Sequence, residues 1–304
     1  MNKPRVIVLM ATFNGLDWLP EQLNSILNQV DVDVSVIISD DKSSDASCEF
    51  IERMVGSDNR ITLLSRAQKF GSAGKNFYRL IQDVDLGNCD YIAFSDQDDI
   101  WESDKLIRHI ELIKQYQADG VSSNVMAFWS NGDKKLIVKS QPQKALDYLF
   151  ESAGPGCTFL MTPWLVGKVR EQLLDVNSPA KEVALHDWLT YAICRAHGKR
   201  WIIDEQPSVN YRQHKNNVLG ANVGFKAGCA RLLKMKQHWY RNEVLKIAEV
   251  SQRISASTNV GELVQLLKNN NFFTRFKLLK FVPQARRSGL DRAILACAIL
   301  FGLF

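Results

Sequence analysis

A chain of 304 residues with 46% hydrophobic and 23% charged residues has the composition of an ordinary globular protein, which excludes a disordered chain. The net charge of +5 hides a division: residues 226–304 hold 14 Lys and Arg against 4 Asp and Glu, whereas the preceding part holds 24 against 29. An acidic body beside a basic tail implies different partners for the two parts.

The length predicts one large α/β domain with an appendage, or two domains. Six cysteines at positions 48, 89, 157, 194, 229 and 297 show no Cys-x-x-Cys spacing, which argues against a zinc ribbon or a disulfide framework and for a reducing compartment. The early apolar run is broken by Asn14 and Gly15, so no secretory signal is expected and the catalytic part is placed in the cytoplasm.

In chain order, short β-branched runs predict strands at Arg5–Ala11, Asp33–Ser39 and Arg60–Ser65. Between them, apolar residues at helical spacing predict helices over Leu16–Gln29 and over Ser44–Val55, the latter capped by Ser43 or Ser44. A third helix is predicted over Ser72–Val84, then a buried strand over Tyr91–Ser95 and a helix over Asp104–Gln117. Val121–Val138 reads as less regular strands and turns; Cys157–Met161 reads as strand-like, Trp164–Leu174 as a helix, a further helix opens near His186, and Arg200–Ile203 is the remaining core strand. The alternation argues for a mostly parallel sheet with helices on both faces, binding its ligand at the carboxyl ends of the strands.

The chemistry concentrates after the fourth strand, where Asp96, Gln97, Asp98 and Asp99 place three carboxylates in four residues. Like charges so close repel, and a hard cation such as Mg²⁺ or Mn²⁺ would neutralise them. A charged loop with helix-capping aspartates is the alternative. Ala11-Thr12-Phe13-Asn14-Gly15 ends the first strand and Ser39-Asp40-Asp41-Lys42-Ser43-Ser44-Asp45 the second, so three polar loops are expected along one sheet edge.

On these loops the sequence resembles family 2 of the glycosyltransferases with the GT-A fold, whose first strand ends in a T-x-N-type loop, whose second ends in D-D-x-S-x-D, and whose DxD motif follows. The resemblance covers about residues 3–220 and implies a catalytic domain over residues 1–224, with a helical, basic region over 225–304. It implies a nucleotide-sugar site at Ala11, Thr12, Asn14, Asp41, Asp96 and Gln97, with Asp41 reading the base and Asp98 binding the metal. Lys69-Phe70-Gly71-Ser72-Ala73-Gly74-Lys75-Asn76 resembles the family's loop bordering the base, which adds Gly71 and Asn76; its spacing is not that of a Walker A loop. Gly154-Pro155-Gly156-Cys157-Thr158 resembles the loop near donor sugar and acceptor and adds Gly156.

About 90 residues after the carboxylates, His186-Asp187-Trp188 stands where the family places an acidic base at a helix start. A sugar hydroxyl is a poor nucleophile, and a carboxylate in hydrogen-bond reach must take its proton; the resemblance gives Asp187 that role. His186 replaces the commoner Glu and, with the Ser95–Trp101 stretch, resembles bacterial rhamnosyltransferases of cell-surface polysaccharide assembly. Tyr211-Arg212-Gln213-His214 is similar to the family's Y-R-x-H element: Arg212 suits a phosphate, and His214 suits either a divalent ion or the leaving diphosphate.

In the tail, Phe272–Phe281 interleaves aromatic and basic residues, Arg286-Arg287 follow, and the last apolar run is too short to span a bilayer. Peripheral binding to the inner leaflet is expected, the alternative being packing on the catalytic domain or a second subunit; no nucleic-acid-binding signature appears. The sequence reading is an inverting, metal-dependent transferase moving a sugar, first L-rhamnose from dTDP-rhamnose, onto a lipid-linked or lipopolysaccharide glycan. A UDP-hexose transferase of O-antigen or capsule assembly, a nucleotidyltransferase, a non-catalytic scaffold subunit and a homo-oligomeric state stand as alternatives.

Overall fold

The computed structural model describes residues 2–66, 68–214, 239–269 and 271–304. β1 (Arg5–Thr12), β2 (Asp33–Asp40), β3 (Ile61–Leu63) and β4 (Tyr91–Ser95) run parallel in the order β3-β2-β1-β4. α1 (Leu19–Leu27), α2 (Ser47–Ser57) and α3 (Ala73–Asp83) make the crossovers. Each helix buries an apolar stripe, Leu19, Leu23 and Ile26 in α1 and Phe77, Leu80 and Ile81 in α3. β1 is buried at every position after Arg5, as a strand covered on both faces must be.

Beyond β4 the sheet is mixed. It continues through β5 (Ile100–Trp101), α4 (Lys105–Tyr116), β6 (Gly120–Phe128), β7 (Lys134–Ile137), β8 (Leu160–Met161), α5 (Pro163–Leu174), α6 (His186–Ala196) and β9 (Trp201–Arg212). The nine strands follow the order β3-β2-β1-β4-β8-β6-β9-β5, with β7 beside β6. β8 is antiparallel to both neighbours, β9 is parallel to β6, and β5 is antiparallel to β9. The expected parallel character therefore describes the β1–β4 half of the sheet.

Two elements are more regular than their sequence suggests. β6 carries Ser122, Ser123 and Asn124 in its middle, which break the apolar pattern, yet all three are buried and hydrogen-bonded: Ser122 to the Ala153 carbonyl, Ser123 to Ser208, Asn124 to the Glu205 carbonyl. β9 runs to Arg212, past the expected end at Ile203, because its pairing with β6 resumes at Val209 after a break beyond Asp204. Pro207, which has no N–H for the ladder, lies in that break.

In the basic tail, α7 (Trp239–Ile254), α8 (Thr258–Lys268), α9 (Phe272–Leu278), α10 (Val282–Ala285) and α11 (Gly289–Leu300) follow. α7 and α8 bury Val244, Ile247, Leu263 and Val264 in the same core as Phe77, Leu165 and Leu189. Polar contacts fasten the tail to two segments of the body. Glu243 accepts from the Ala184 N–H at 2.8 Å and Lys246 donates to the Glu182 carbonyl at 2.8 Å. Tyr240 donates to the Phe150 carbonyl, and Arg287 pairs with Asp147 at 3.2 Å, both side chains buried. Arg286 and Arg287, expected to add to a lipid-facing charge, thus point into the protein. Phe272, Phe273, Phe276 and Phe301 remain exposed by 50–77%. Among the described residues no helix is long and apolar enough to cross a membrane. The expected residues Lys215, Asn216, Asn217 and 225–238 lie outside the described residues.

Candidate active site

Register brings the loops together: Thr12 stands beside Asp40 and Met10 beside Ser95, so β1, β2 and β4 end along one edge. The first two loops are laced. Asn14 adopts φ +49°, a left-handed conformation that asparagine tolerates, and its Oδ1 accepts from the Ser44 N–H at 2.7 Å. Ser43, expected as a helix cap, donates instead to Asp40 and accepts from the Asn14 N–H. Thr12 donates to Asp40 at 3.0 Å, and Asp40 faces the Arg66 guanidinium at 2.9 Å. Asn76 spans the strand ends, donating to the Ser39 carbonyl at 2.8 Å. Ala11 is a buried member of the strand.

Asp41 is buried and accepts from the N–H groups of Phe70 and Gly71, the latter at 2.8 Å and φ +78°. The loop bordering the expected base site is therefore latched onto the carboxylate expected to read that base. Gln97 uses both ends of its amide on Phe13, accepting from the N–H at 2.8 Å and donating to the carbonyl at 3.0 Å. It splices the carboxylate loop to the first loop, and a Cβ on Gly15 would stand 2.2 Å from its Oε1.

The three aspartates divide. Asp98 meets His214 Nε2 at 2.6 Å, and the Trp18 ring stacks on that imidazole at 4.1 Å. Asp99 is fully buried; its Oδ1 accepts from the Arg212 N–H at 3.0 Å, while its Oδ2 has no hydrogen-bond partner. Asp96 is half-buried and its pKa is raised to about 7, by burial first and then by Asp98 and Asp187. The Arg212 guanidinium donates to the Asp98 carbonyl at 2.8 Å, pairs with Glu21 and covers Phe128. Pairing of Ile100 with Asn210 sets this juxtaposition, because it carries the end of β9 over the carboxylate loop.

On the facing wall, Asp187 sits in the first turn of α6 and accepts from the Trp188 N–H at 2.6 Å. Burial raises its pKa to about 6, against the pull of the Trp188 and Gly156 N–H groups and of Lys139. Beside it, burial lowers His186 to about 3, so the imidazole is neutral, stacked on Phe77 at 3.8 Å and edge-on to Phe94 at 5.1 Å. Gly156 lies against both: a Cβ there would stand 2.6 Å from His186 Nε2 and 3.2 Å from Asp187 Cβ.

The edge therefore carries an acidic cluster facing a carboxylate whose affinity for protons suits a base near neutrality. Residues 7–158 match the family described as Glycosyl transferase family 2. The chain is 46% identical over 240 residues to the dTDP-rhamnosyl transferase RfbG of Shigella flexneri, covering 79% of this chain and 83% of that protein. The chain belongs to glycosyl transferase family 2. It is also 27% identical to the amylovoran biosynthesis glycosyltransferase AmsB of Erwinia amylovora, over 78% of this chain and 79% of the relative. Its fold matches S. aureus TarS in complex with UDP-GlcNAc, with a TM-score of 0.60 and 14% identity over 98% of this chain and 81% of that one. A mannosyltransferase from Pyrobaculum calidifontis in complex with GDP-Man and Mn²⁺ matches with a TM-score of 0.55 and 14% identity, over all of this chain and 81% of that one. The α/β GT-A expectation thus holds, and the protein is a glycosyltransferase.

Three side chains of this glycosyltransferase's site escape a sequence reading. Trp18 and Glu21 lie within the expected first helix and give no sign of contacts with His214 and Arg212, nearly 200 residues away in the case of Glu21. Lys105 lies fully buried at the start of α4. Its one signal is position: it precedes the apolar stripe Leu106, Ile110 and Ile113 by one residue.

Proposed function

We propose that this glycosyltransferase moves L-rhamnose from dTDP-rhamnose, with inversion, onto a hydroxyl of a lipid-linked or lipopolysaccharide glycan, with its catalytic residues within 1–224. The donor follows from the Shigella flexneri relative at 46% identity. The observation that carries the mechanism is Asp187, a half-buried carboxylate raised to about 6 opposite the Asp96–Asp99 loop. Asp187 accepts the proton of the acceptor hydroxyl as that oxygen attacks the anomeric carbon. The bond from that carbon to the diphosphate oxygen breaks on the opposite side, and the electron pair leaves with the diphosphate.

The residues present fit a divalent cation. Burial, and after it the charges of Asp98 and Asp187, raises Asp96 to about 7, so a cation there would be welcome, and Asp98 and His214 approach to 2.6 Å. Asp96, Asp99 and Cys157 also lie within 4.8 Å of one another, but a thiol is a poor donor for Mg²⁺ or Mn²⁺, whereas carboxylate and imidazole suit Mn²⁺ and carboxylate suits Mg²⁺. Asp98 and His214 are therefore the residues that would hold it, and the cation would offset the charge of the departing diphosphate. Thr12, Asn14, Asn76 and Gln97 keep the three loops in register around the nucleotide, and the latch of Phe70 and Gly71 on Asp41 borders the base.

A membrane acceptor accords with the tail. Exposed Phe272, Phe273, Phe276 and Phe301 share one end of the molecule with Arg275 and Lys277, where Arg275 approaches Gly302. Aromatic side chains beside cations suit the interface of an anionic leaflet. The deciding experiment measures nucleoside diphosphate release from a panel of dTDP- and UDP-sugars on a lipid-linked acceptor extract, with Mg²⁺, Mn²⁺ or EDTA. Release from dTDP-rhamnose that needs metal and is lost in Asp98→Ala and Asp187→Ala is expected. A different active sugar replaces the donor, and turnover that survives Asp187→Ala sinks the mechanism.

A further inference from the structure

A lysine lies entirely inside the protein beneath the site. Lys105 is 0% exposed, and its Nζ donates to the Cys157 carbonyl at 2.9 Å while lying 3.1 Å from the centre of the Trp101 ring. Burial pulls its pKa well below the usual lysine range, and a buried amine is costly unless its N–H groups are answered, so its position needs a reason. Trp101 ends the carboxylate loop and is itself tied to α1, its N–H donating to Ser25 at 3.1 Å. Cys157 follows Gly156, at which a Cβ would stand 2.6 Å from His186 Nε2 and 3.2 Å from Asp187 Cβ. The thiol of Cys157, also fully buried, abuts Asp99, the aspartate with an unpartnered inner oxygen.

Lys105 therefore stands where two walls of the active site meet. One wall is the loop carrying Asp98 and, through the Asp99 contact with Arg212, the end of β9 with His214. The other is the glycine loop that supports Asp187. We propose that Lys105 is a positioning residue, whose hydrogen bond to the Cys157 carbonyl sets the distance between the Asp98 wall and the Asp187 wall. The proposal rests on the roles given above to Asp98 and Asp187.

The chemistry of the contact explains why a lysine is used. The Cys157 carbonyl sits in a turn, Gly156–Thr158, and has to be held from below by a donor that reaches through an apolar layer; a four-carbon stem ending in a strong donor does this, with the Trp101 face against its Nζ. A methionine of similar length would fill the space and abolish the tie.

The test uses the full chain with Lys105→Met and, in parallel, the double variant Asp99→Asn/Lys105→Met, which replaces both buried titratable groups. With misplacement of the two walls, kcat in Lys105→Met should fall by about 10²-fold while the donor KM stays within about twofold. The folded double variant should retain that kcat deficit, because the Cys157 carbonyl is still untied. It also decides the matter where the single variant fails to fold. Wild-type kcat in either folded variant, or a loss shared equally between kcat and donor KM, overturns the proposal. Asp187→Asn serves as the companion: wild-type turnover there refutes the base assignment, whereas an inactive Asp187→Asn beside a fully active Lys105→Met refutes the positioning role alone.

Discussion

Asp187 owes its chemistry to where its helix begins. The Trp188 N–H holds the carboxylate in one orientation, and burial raises its pKa to about 6, so it is ionised near neutrality yet retains affinity for a proton. Only the ionised form can accept the acceptor's proton, so kcat/KM should rise with pH through about 6; a profile flat across that range would exclude Asp187. Stability carries the opposite sign. The folded protein binds this proton more tightly than the unfolded chain, so the contribution is present below the ordinary carboxylate range and is lost as pH rises through about 6. Asp187→Asn should lower kcat by about 10²–10⁴-fold with nucleotide affinity by calorimetry unchanged. Gly156→Ala tests the same wall sterically, since its Cβ would meet His186 at 2.6 Å. It should lose turnover while its circular dichroism spectrum stays that of the wild type.

At the scale of elements, the loops behave as one unit because each is bonded to the next. Gln97 joins the carboxylate loop to the first loop through two hydrogen bonds, each worth about 1 kcal/mol. Gln97→Ala should raise the donor KM by about tenfold, with less effect on kcat, in steady-state assays at saturating acceptor; an unchanged KM would show that the loops hold without it. The strands and helices before Ser95 could be read from the sequence because their apolar pattern is local. The far half of the sheet was less legible: β6 buries Ser122, Ser123 and Asn124, and β9 resumes pairing beyond Pro207. Those residues earn their places by bonds across the sheet, which no window of a single strand contains.

At the scale of the whole molecule, the C-terminal helices add side chains to the body's core and also present an exposed apolar face. Arg287 and Asp147, 1% and 0% exposed at the side chain, form a buried pair that also involves Arg195 and Tyr191. Removing Arg287 leaves Asp147 only Arg195 and the Tyr191 hydroxyl and takes the donor from the Ser152 carbonyl, so Arg287→Ala should lower the melting temperature, at a cost below the about 3–5 kcal/mol of a fully stranded charge. A melting temperature unchanged from wild type would mean that water reaches Asp147. The outward face makes a separate prediction: changing Phe272, Phe273 and Phe276 to Ser should abolish co-flotation with vesicles containing anionic lipid. Turnover of a soluble acceptor should remain, and flotation at the wild-type level would place the membrane contact elsewhere.

What the sequence determined by itself is the order of chemistry along the chain: a polar loop after each early strand, the carboxylates after the fourth, an aspartate at a helix start, and Arg212 with His214 further on. These signals are local, because turn residues and strand ends follow from neighbouring side chains. Only the tertiary structure decided who meets whom. Asp98 and His214 are 116 positions apart and Arg287 and Asp147 140; such pairs are made by sheet order and helix packing, which depend on the burial of the whole chain at once. For the same reason Lys105, an ordinary charge beside an apolar stripe in the sequence, becomes in the fold a buried amine bonded to the Cys157 carbonyl.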